Sequence, residues 1–230
     1  MSLRLEVYEE GEEAARRGAD VIAGSARSCA AAGRRFAFAM SGGGTPWRMF
    51  AILAAMDVPW ASVDLFQVDE RIAPDGDPDR SLTHIRGALL PAAAAARWHP
   101  MDVTASDPEA AAASYARELP DRLDLIHLGL GPDGHTASLV PNDPVLDVRD
   151  RDVAVTGIYQ GRRRITLTFP AIDRAASVLW FELGEDKREA LARFLARDAS
   201  IPAARVAAPD QLVVCDRAAA GQRTPGSASA

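Results

Sequence analysis

The segment Gly-Leu-Gly-Pro-Asp-Gly-His-Thr-Ala-Ser (129–138) carries the strongest chemical signal in this chain. It sets His135 in a glycine-rich turn directly after an apolar run. Histidine is the side chain best suited to move protons near neutral pH. Asp133, two residues earlier, can orient the imidazole or act beside it. A second segment, Ser-Gly-Gly-Gly-Thr-Pro (41–46), joins a strand-like run to a helix-like one. Gly42, Gly43 and Gly44 let backbone amides approach a ligand closely, and Ser41 and Thr45 add hydroxyl donors. A helix N-terminus behind them adds free amides and partial positive charge. These are the parts of a phosphate cradle, although a plain tight turn uses the same residues. Neither a Walker loop nor G-x-G-x-x-G is present, so nucleotide binding is not indicated. Ala39 stands where a nucleophile elbow needs glycine.

Asp69-Glu70-Arg71 ends another apolar run. Arg71 offers a fork of donors to a phosphate or carboxylate, with Asp69 or Glu70 available to orient it. Arg162 and Arg163 precede Arg-Ile-Thr-Leu-Thr, an alternation that can aim Arg164 into the same cleft. Lys187 opens a helix-like stretch, which is unfavourable against the helix dipole unless a bound anion offsets it. His127 reads as buried within a strand, and His84 and His99 lack a supporting pattern. No spacing of His, Cys, Asp or Glu fits a metal site.

The elements that must position these residues follow from periodicity. Strands are predicted over residues 3–8, 35–40, 63–68, 123–130, 153–158, 164–169, 177–183 and 211–215. Helices are predicted over 9–32, 45–56, 83–90, 107–118 and 186–197, with Thr45 capping the second and Pro46 in its first turn. The stretch 69–81, full of Asp, Pro and Gly, reads as a loop. Alternating strands and helices imply an α/β fold with a mostly parallel sheet covered on both faces. Ligands then bind beyond the carboxyl ends of the strands. The segments 41–45, 69–81 and 131–138 all follow strands and should meet at that edge. Residues 1–220 read as one α/β domain, and the Gly/Ser/Pro-rich 221–230 as a disordered tail.

Composition sets the outer limits. The 230 residues are 48% hydrophobic with a formal net charge of −6. The core is therefore substantial, and the acidity argues against a nucleic-acid partner. No apolar window reaches the roughly 18 residues of a membrane helix, and the start does not read as a signal peptide. Two distant cysteines, Cys29 and Cys215, fit a reducing, cytoplasmic setting. The cations are 25 Arg and one Lys, Lys187. A coding bias toward Arg and Ala codons accounts for the bulk of that imbalance.

Taken together, Ser-Gly-Gly-Gly-Thr-Pro, Asp-Glu-Arg, Gly-Pro-Asp-Gly-His-Thr-Ala-Ser-Leu-Val-Pro, Arg-Ile-Thr-Leu-Thr and Gly-Glu-Asp-Lys occur in the order seen in 6-phosphogluconolactonases. The chain resembles that family over roughly residues 3–219. Glucosamine-6-phosphate deaminases share the Asp-Gly-His core but continue differently after it. The resemblance implies a Rossmann-like fold of the sugar-phosphate isomerase type. It implies hydrolysis of 6-phosphoglucono-δ-lactone in the oxidative pentose phosphate pathway, without metal or organic cofactor. His135 is then the general base supported by Asp133. Ser41, Gly42, Gly43, Gly44, Thr45, Arg71, Arg164 and Lys187 contact the substrate's anionic group. The implied partner is a small sugar-phosphate lactone, with no nucleic acid and no membrane, and the chain a monomer or weak dimer. A deaminase-like isomerase and a non-catalytic sugar-phosphate sensor are the alternatives. Two departures stand out: Leu82 replaces a family Asn, and Tyr159-Gln160-Gly161-Arg162-Arg163 replaces a stretch with Lys and Pro.

Overall fold

The run Phe36–Met40 alternates large and small apolar side chains and is buried throughout. Phe36, Phe38 and Met40 join one core with Ala19, Ile22 and Ala23, whereas Ala37 and Ala39 join another with Ile126 and Leu128. A strand buried on both faces belongs to a parallel sheet sandwiched between layers. The computed structural model describes residues 2–221. Of the segment expected to be a disordered tail, 222–230 lie outside the described residues.

The strands are β1 (Ser2–Tyr8), β2 (Phe36–Met40), β3 (Val63–Gln67), β4 (Asp69–Arg71), β5 (Arg97–His99), β6 (Leu125–Leu128), β7 (Val153–Val155), β8 (Arg164–Leu167), β9 (Ser177–Glu182) and β10 (Asp210–Asp216). The helices are α1 (Gly11–Ala31), α2 (Trp47–Ala54), α3 (Ser81–Leu89), α4 (Pro108–Glu118), α5 (Phe169–Asp173), α6 (Arg188–Leu195) and α7 (Arg217–Ala220). Seven strands form one sheet in the order β1-β10-β9-β6-β2-β3-β5. Every pairing in it is parallel. The expected α/β class therefore holds.

Four expectations need correction. The stretch 69–81 is not all loop: Asp69–Arg71 is β4, which with β8 and β7 forms a separate antiparallel sheet, and Ser81 begins α3. Three-residue strands such as β4 and β5 are too short to show a period. Thr45 does not cap α2; the cap position is Pro46, which makes no side-chain cap bond. Thr45 sits one residue too early. The helix expected over 186–197 begins as a 3-10 turn, Glu185–Lys187, and only then becomes α6. Phe169 does not extend β8 but starts α5.

Candidate active site

Four central strands, β9, β6, β2 and β3, lie side by side and end at the same sheet edge. The three loops expected to meet there do so. Residues from 41–46, from β4 and from 129–137 line one cavity of about 360 Å³, together with Gln160, Arg164, Glu182 and Lys187. An outer compartment of about 420 Å³ shares Gly43, Gly44, Arg71, Gln160 and Arg164 with it. Trp47, His84 and Arg162 line only this outer part.

The proton-moving pair is built by the turn after β6. His135 Nδ1 lies 2.5 Å from Asp133 Oδ1, and the same oxygen accepts the His135 backbone N–H at 3.1 Å. With Nδ1 committed to Asp133, Nε2 is the nitrogen left for chemistry. A Cβ at Gly131 would overlap the His135 ring, so only glycine lets the imidazole fold back over its own turn. Burial pushes the Asp133 carboxyl up, but hydrogen bonds from His135 and Tyr159 outweigh it and the net shift is downward. The carboxyl thus stays ionised beside the imidazole.

The anion-binding side has a different origin. The register of β4 against β8 sets Arg71 directly opposite Arg164. Like charges on facing positions destabilise a strand pair. Arg164 is moreover only 3% exposed. Burial pulls its guanidinium below the ordinary value; Asp69 opposes this and Arg71 reinforces it. Its polar neighbours are Gln160 Oε1 at 3.1 Å, Ser138 Oγ at 3.4 Å and Asp69 Oδ2 at 3.9 Å. Arg71 is braced by Ser81 Oγ at 2.7 Å. Among the described residues, neither guanidinium has a bidentate carboxylate partner. Two cations held together without full compensation favour an anion between them.

Asp69 and Glu70 do not orient the Arg71 guanidinium, as the sequence allowed. Asp69 Oδ2 accepts the Ser138 hydroxyl at 2.5 Å. Glu70 is wholly buried, and its carboxylate accepts four hydrogen bonds. The donors are Gln67 Nε2 and the backbone N–H groups of Arg71, Ser81 and Leu82, at 2.7–2.9 Å. Glu70 therefore ties the two ends of the 69–82 segment together. Leu82 contributes one of these N–H groups while its side chain is buried.

The three arginines 162–164 separate by function of place. Arg164 enters the cleft. Arg162 pairs with Asp77 and Asp79 at 3.0 Å each. Arg163 pairs with Glu109 at 3.3 Å on the surface.

In the 41–46 loop, Ser41 is buried and its backbone N–H reaches His127 Nδ1 at 3.3 Å. Burial drops His127 to about 3, so it stays neutral, as befits a strand residue holding a loop. A Cβ at Gly42 would overlap Ser81 Oγ. The glycine is thus required by the approach of α3, while Gly43, Gly44 and Thr45 line the cavity.

Lys187 Nζ donates to the Leu130 carbonyl at 2.6 Å and lies 4.0 Å from Glu182 Oε2. Glu182 is fully buried, and its Oε1 accepts the Leu130 N–H at 2.8 Å. Burial raises its carboxyl to about 8, with Lys187 and the Leu130 N–H opposing. A carboxyl so raised competes less for the Lys187 ammonium than an ordinary carboxylate would. Sequence reasoning missed Glu182, His84, Gln160 and the Tyr159 contact with Asp133. A glutamate ending the apolar run Ser177–Glu182 is the one signal that was there to read. Among the described residues, no group of three His, Cys, Asp or Glu is placed to hold a metal ion. Nor is any helix long and apolar enough to cross a membrane.

A sequence profile described as glucosamine-6-phosphate isomerases/6-phosphogluconolactonase matches residues 9–215. The chain belongs to this family. Within the glucosamine-6-phosphate isomerase/6-phosphogluconolactonase family, a 6-phosphogluconolactonase of Synechocystis is 40% identical over 173 residues, covering 70% of this chain and 72% of the relative. The crystal structure of a 6-phosphogluconolactonase from Thermotoga maritima superposes with a TM-score of 0.84 at 26% identity, covering 94% of this chain and all of that one. A monomeric glucosamine-6-phosphate deaminase has the same TM-score at 18% identity, covering 96% and 100%. That likeness shows a fold common to both branches of the family.

Proposed function

We propose that the protein hydrolyses 6-phospho-D-glucono-1,5-lactone to 6-phospho-D-gluconate, with His135 as general base. The observation that carries this reading is His135, backed by Asp133 at 2.5 Å, lining the same cavity as the facing Arg71 and Arg164. The named activity of relatives at about 40% identity supports it. A phosphorylated ester needs those two things: charge to hold the phosphate and a base to activate water.

The steps follow from the geometry. Arg71, Arg164, Lys187 and the amides of Gly43 and Gly44 bind the dianionic phosphate. Holding that end positions the lactone carbonyl against a water near His135. His135 Nε2 takes a proton from the water as its oxygen attacks the carbonyl carbon. Asp133 steadies the imidazolium that forms. Collapse of the tetrahedral intermediate breaks the bond to the ring oxygen, and His135 returns the proton there. Those of the Arg71, Arg164, Lys187 and Gly43–Gly44 donors that the phosphate leaves unengaged are available to the oxyanion. A deaminase-like isomerase has support from the shared family profile and the fold but not from the relatives at about 40% identity, and a non-catalytic sensor has no use for the Asp133–His135 pair.

The direct test generates the lactone with glucose-6-phosphate dehydrogenase at mildly acidic pH, where spontaneous opening is slow. Lactone loss should accelerate well above background; no acceleration ends the lactonase reading. The lone lysine gives a sharper expectation. Lys187→Arg keeps the charge but replaces a compact ammonium, seated on the Leu130 carbonyl, by a planar fork. It should raise KM several-fold, about 1 kcal/mol of binding, with kcat little changed. An unaltered KM would return the single lysine to compositional accident.

A further inference from the structure

The hairpin between β7 and β8 brings two residues, Tyr159 and Gln160, against the site. Tyr159 and Arg162 exchange backbone hydrogen bonds at 3.0 and 3.2 Å, which closes a two-residue turn. Its central residues, Gln160 and Gly161, both have positive φ, 51° and 79°. That is the pattern of a primed hairpin turn, whose twist matches the flanking strands. Glycine takes this conformation freely, whereas Gln160 is strained in it. The strained residue is the one whose Oε1 holds Arg164 at 3.1 Å.

The turn fixes the Tyr159 ring in place. Ile158, its neighbour, is 77% exposed and points away. Tyr159 instead turns inward, with its hydroxyl 3.0 Å from Asp133 Oδ2 and 3.4 Å from His135 Nδ1. Its ring packs against the imidazole at 5.3 Å between centroids and under the Arg164 guanidinium at 5.1 Å. The two oxygens of Asp133 are therefore divided, Oδ1 to His135 and Oδ2 to Tyr159. Tyr159 is absent from the cavity lining, so it acts through Asp133 and not on substrate.

The geometry points to Tyr159 as a positioning residue that sets how strongly Asp133 supports the proton on His135. The inference rests on the reading of His135 as general base. A phenol O–H donated to Asp133 does two things. It locks the rotation of the carboxylate, and it draws off part of the negative charge that would otherwise stabilise the imidazolium. Losing it should loosen the pair, yet leave the base holding its proton to higher pH. Other charged or titratable groups around the cavity are Asp69 and Arg71 on β4, His127 on β6, Arg164 on β8, Glu182 on β9 and Lys187 after it. All of them stay in place when only the Tyr159 hydroxyl is removed.

The experiment compares pH profiles of kcat/KM for the wild type, Tyr159→Phe, Tyr159→Leu and His135→Ala. Tyr159→Phe keeps the ring over Arg164 and removes the hydroxyl alone. It should lower kcat roughly three- to tenfold, the scale of one ordinary intramolecular hydrogen bond, with KM within twofold. The acid limb of its profile should move up by about half a pH unit. Tyr159→Leu should add a rise in KM, because the ring under Arg164 is lost. A Tyr159→Phe acid limb superimposable on the wild type overturns the inference, whatever kcat does. His135→Ala separates the two levels. If it cuts turnover by about 10²-fold or more while Tyr159→Phe moves nothing, the positioning role fails alone. If it keeps near-normal turnover, the general-base reading fails and takes this inference with it.

Discussion

Replacing His135 with alanine is expected to cut kcat by roughly 10²–10⁴-fold, the usual worth of a positioned base. KM should stay within a few-fold, because the proposed phosphate contacts lie on β4, β8, the 41–46 loop and Lys187 and do not involve the imidazole. The residual rate should remain above background, since the bound ester is still oriented and its oxyanion still meets the same donors. Added imidazole should restore part of the activity by filling the space the side chain leaves. Circular dichroism of the variant should match the wild type, because His135 is partly exposed at the cavity and outside the core. Near-normal turnover by this variant would remove the general base from the mechanism.

The second large effect is on stability. Glu70→Ala should destabilise the protein by roughly 3–5 kcal/mol, since each buried donor left without an acceptor costs about 1–3 kcal/mol and relaxation recovers part of it. For a chain of this size that is a fall in melting temperature of roughly 6–20 °C. The four donors it abandons are Gln67 Nε2 and the N–H groups of Arg71, Ser81 and Leu82. Glu70→Gln should cost less, because its amide oxygen still accepts two of them. By contrast, breaking the exposed Arg48–Glu12 pair should cost less than about 1 kcal/mol. A melting temperature within 2 °C of wild type for Glu70→Ala, a change of about 1 kcal/mol or less, would show that the 69–82 segment is held by something else. The same variant should raise KM, since Ser81, which braces Arg71, is placed by Glu70.

The parts of this architecture that were legible in the sequence are those fixed by local pattern. Apolar runs marked β2, β3, β6, β9 and β10, and the punctuation after them marked the loops that meet at the sheet edge. The turn bearing Asp133 and His135 was legible because the contact between the two is made two residues apart. What could not be read depends on partners distant in sequence. Arg71 faces Arg164 only because β4 pairs with β8, 93 positions later in the register. Asp69 and Glu70 were candidates to orient Arg71, yet their partners proved to be Ser138 and the backbone of 71, 81 and 82. Glu182 looked like the end of a strand; its proximity to Lys187 and Leu130 arises from the side-by-side pairing of β6 and β9. Thr45 satisfied the composition of a helix cap, but the proline after it took the cap position.

The order of strands also governs time. β1 is at the edge of the seven-stranded sheet, and its one neighbour there is β10. Ser2 and Asp210, which meet in that pairing, are 208 positions apart. A ribosome adding about 5–20 residues per second makes the first strand wait on the order of ten seconds or more for its partner. Once made, β10 pairs with β9 and gives β1 its place at the edge. The inner strands that carry the reactive loops are all synthesised before that closure. Assembly of the sheet therefore finishes at the two chain ends, on the strand pair farthest in sequence and away from the loops that carry the chemistry.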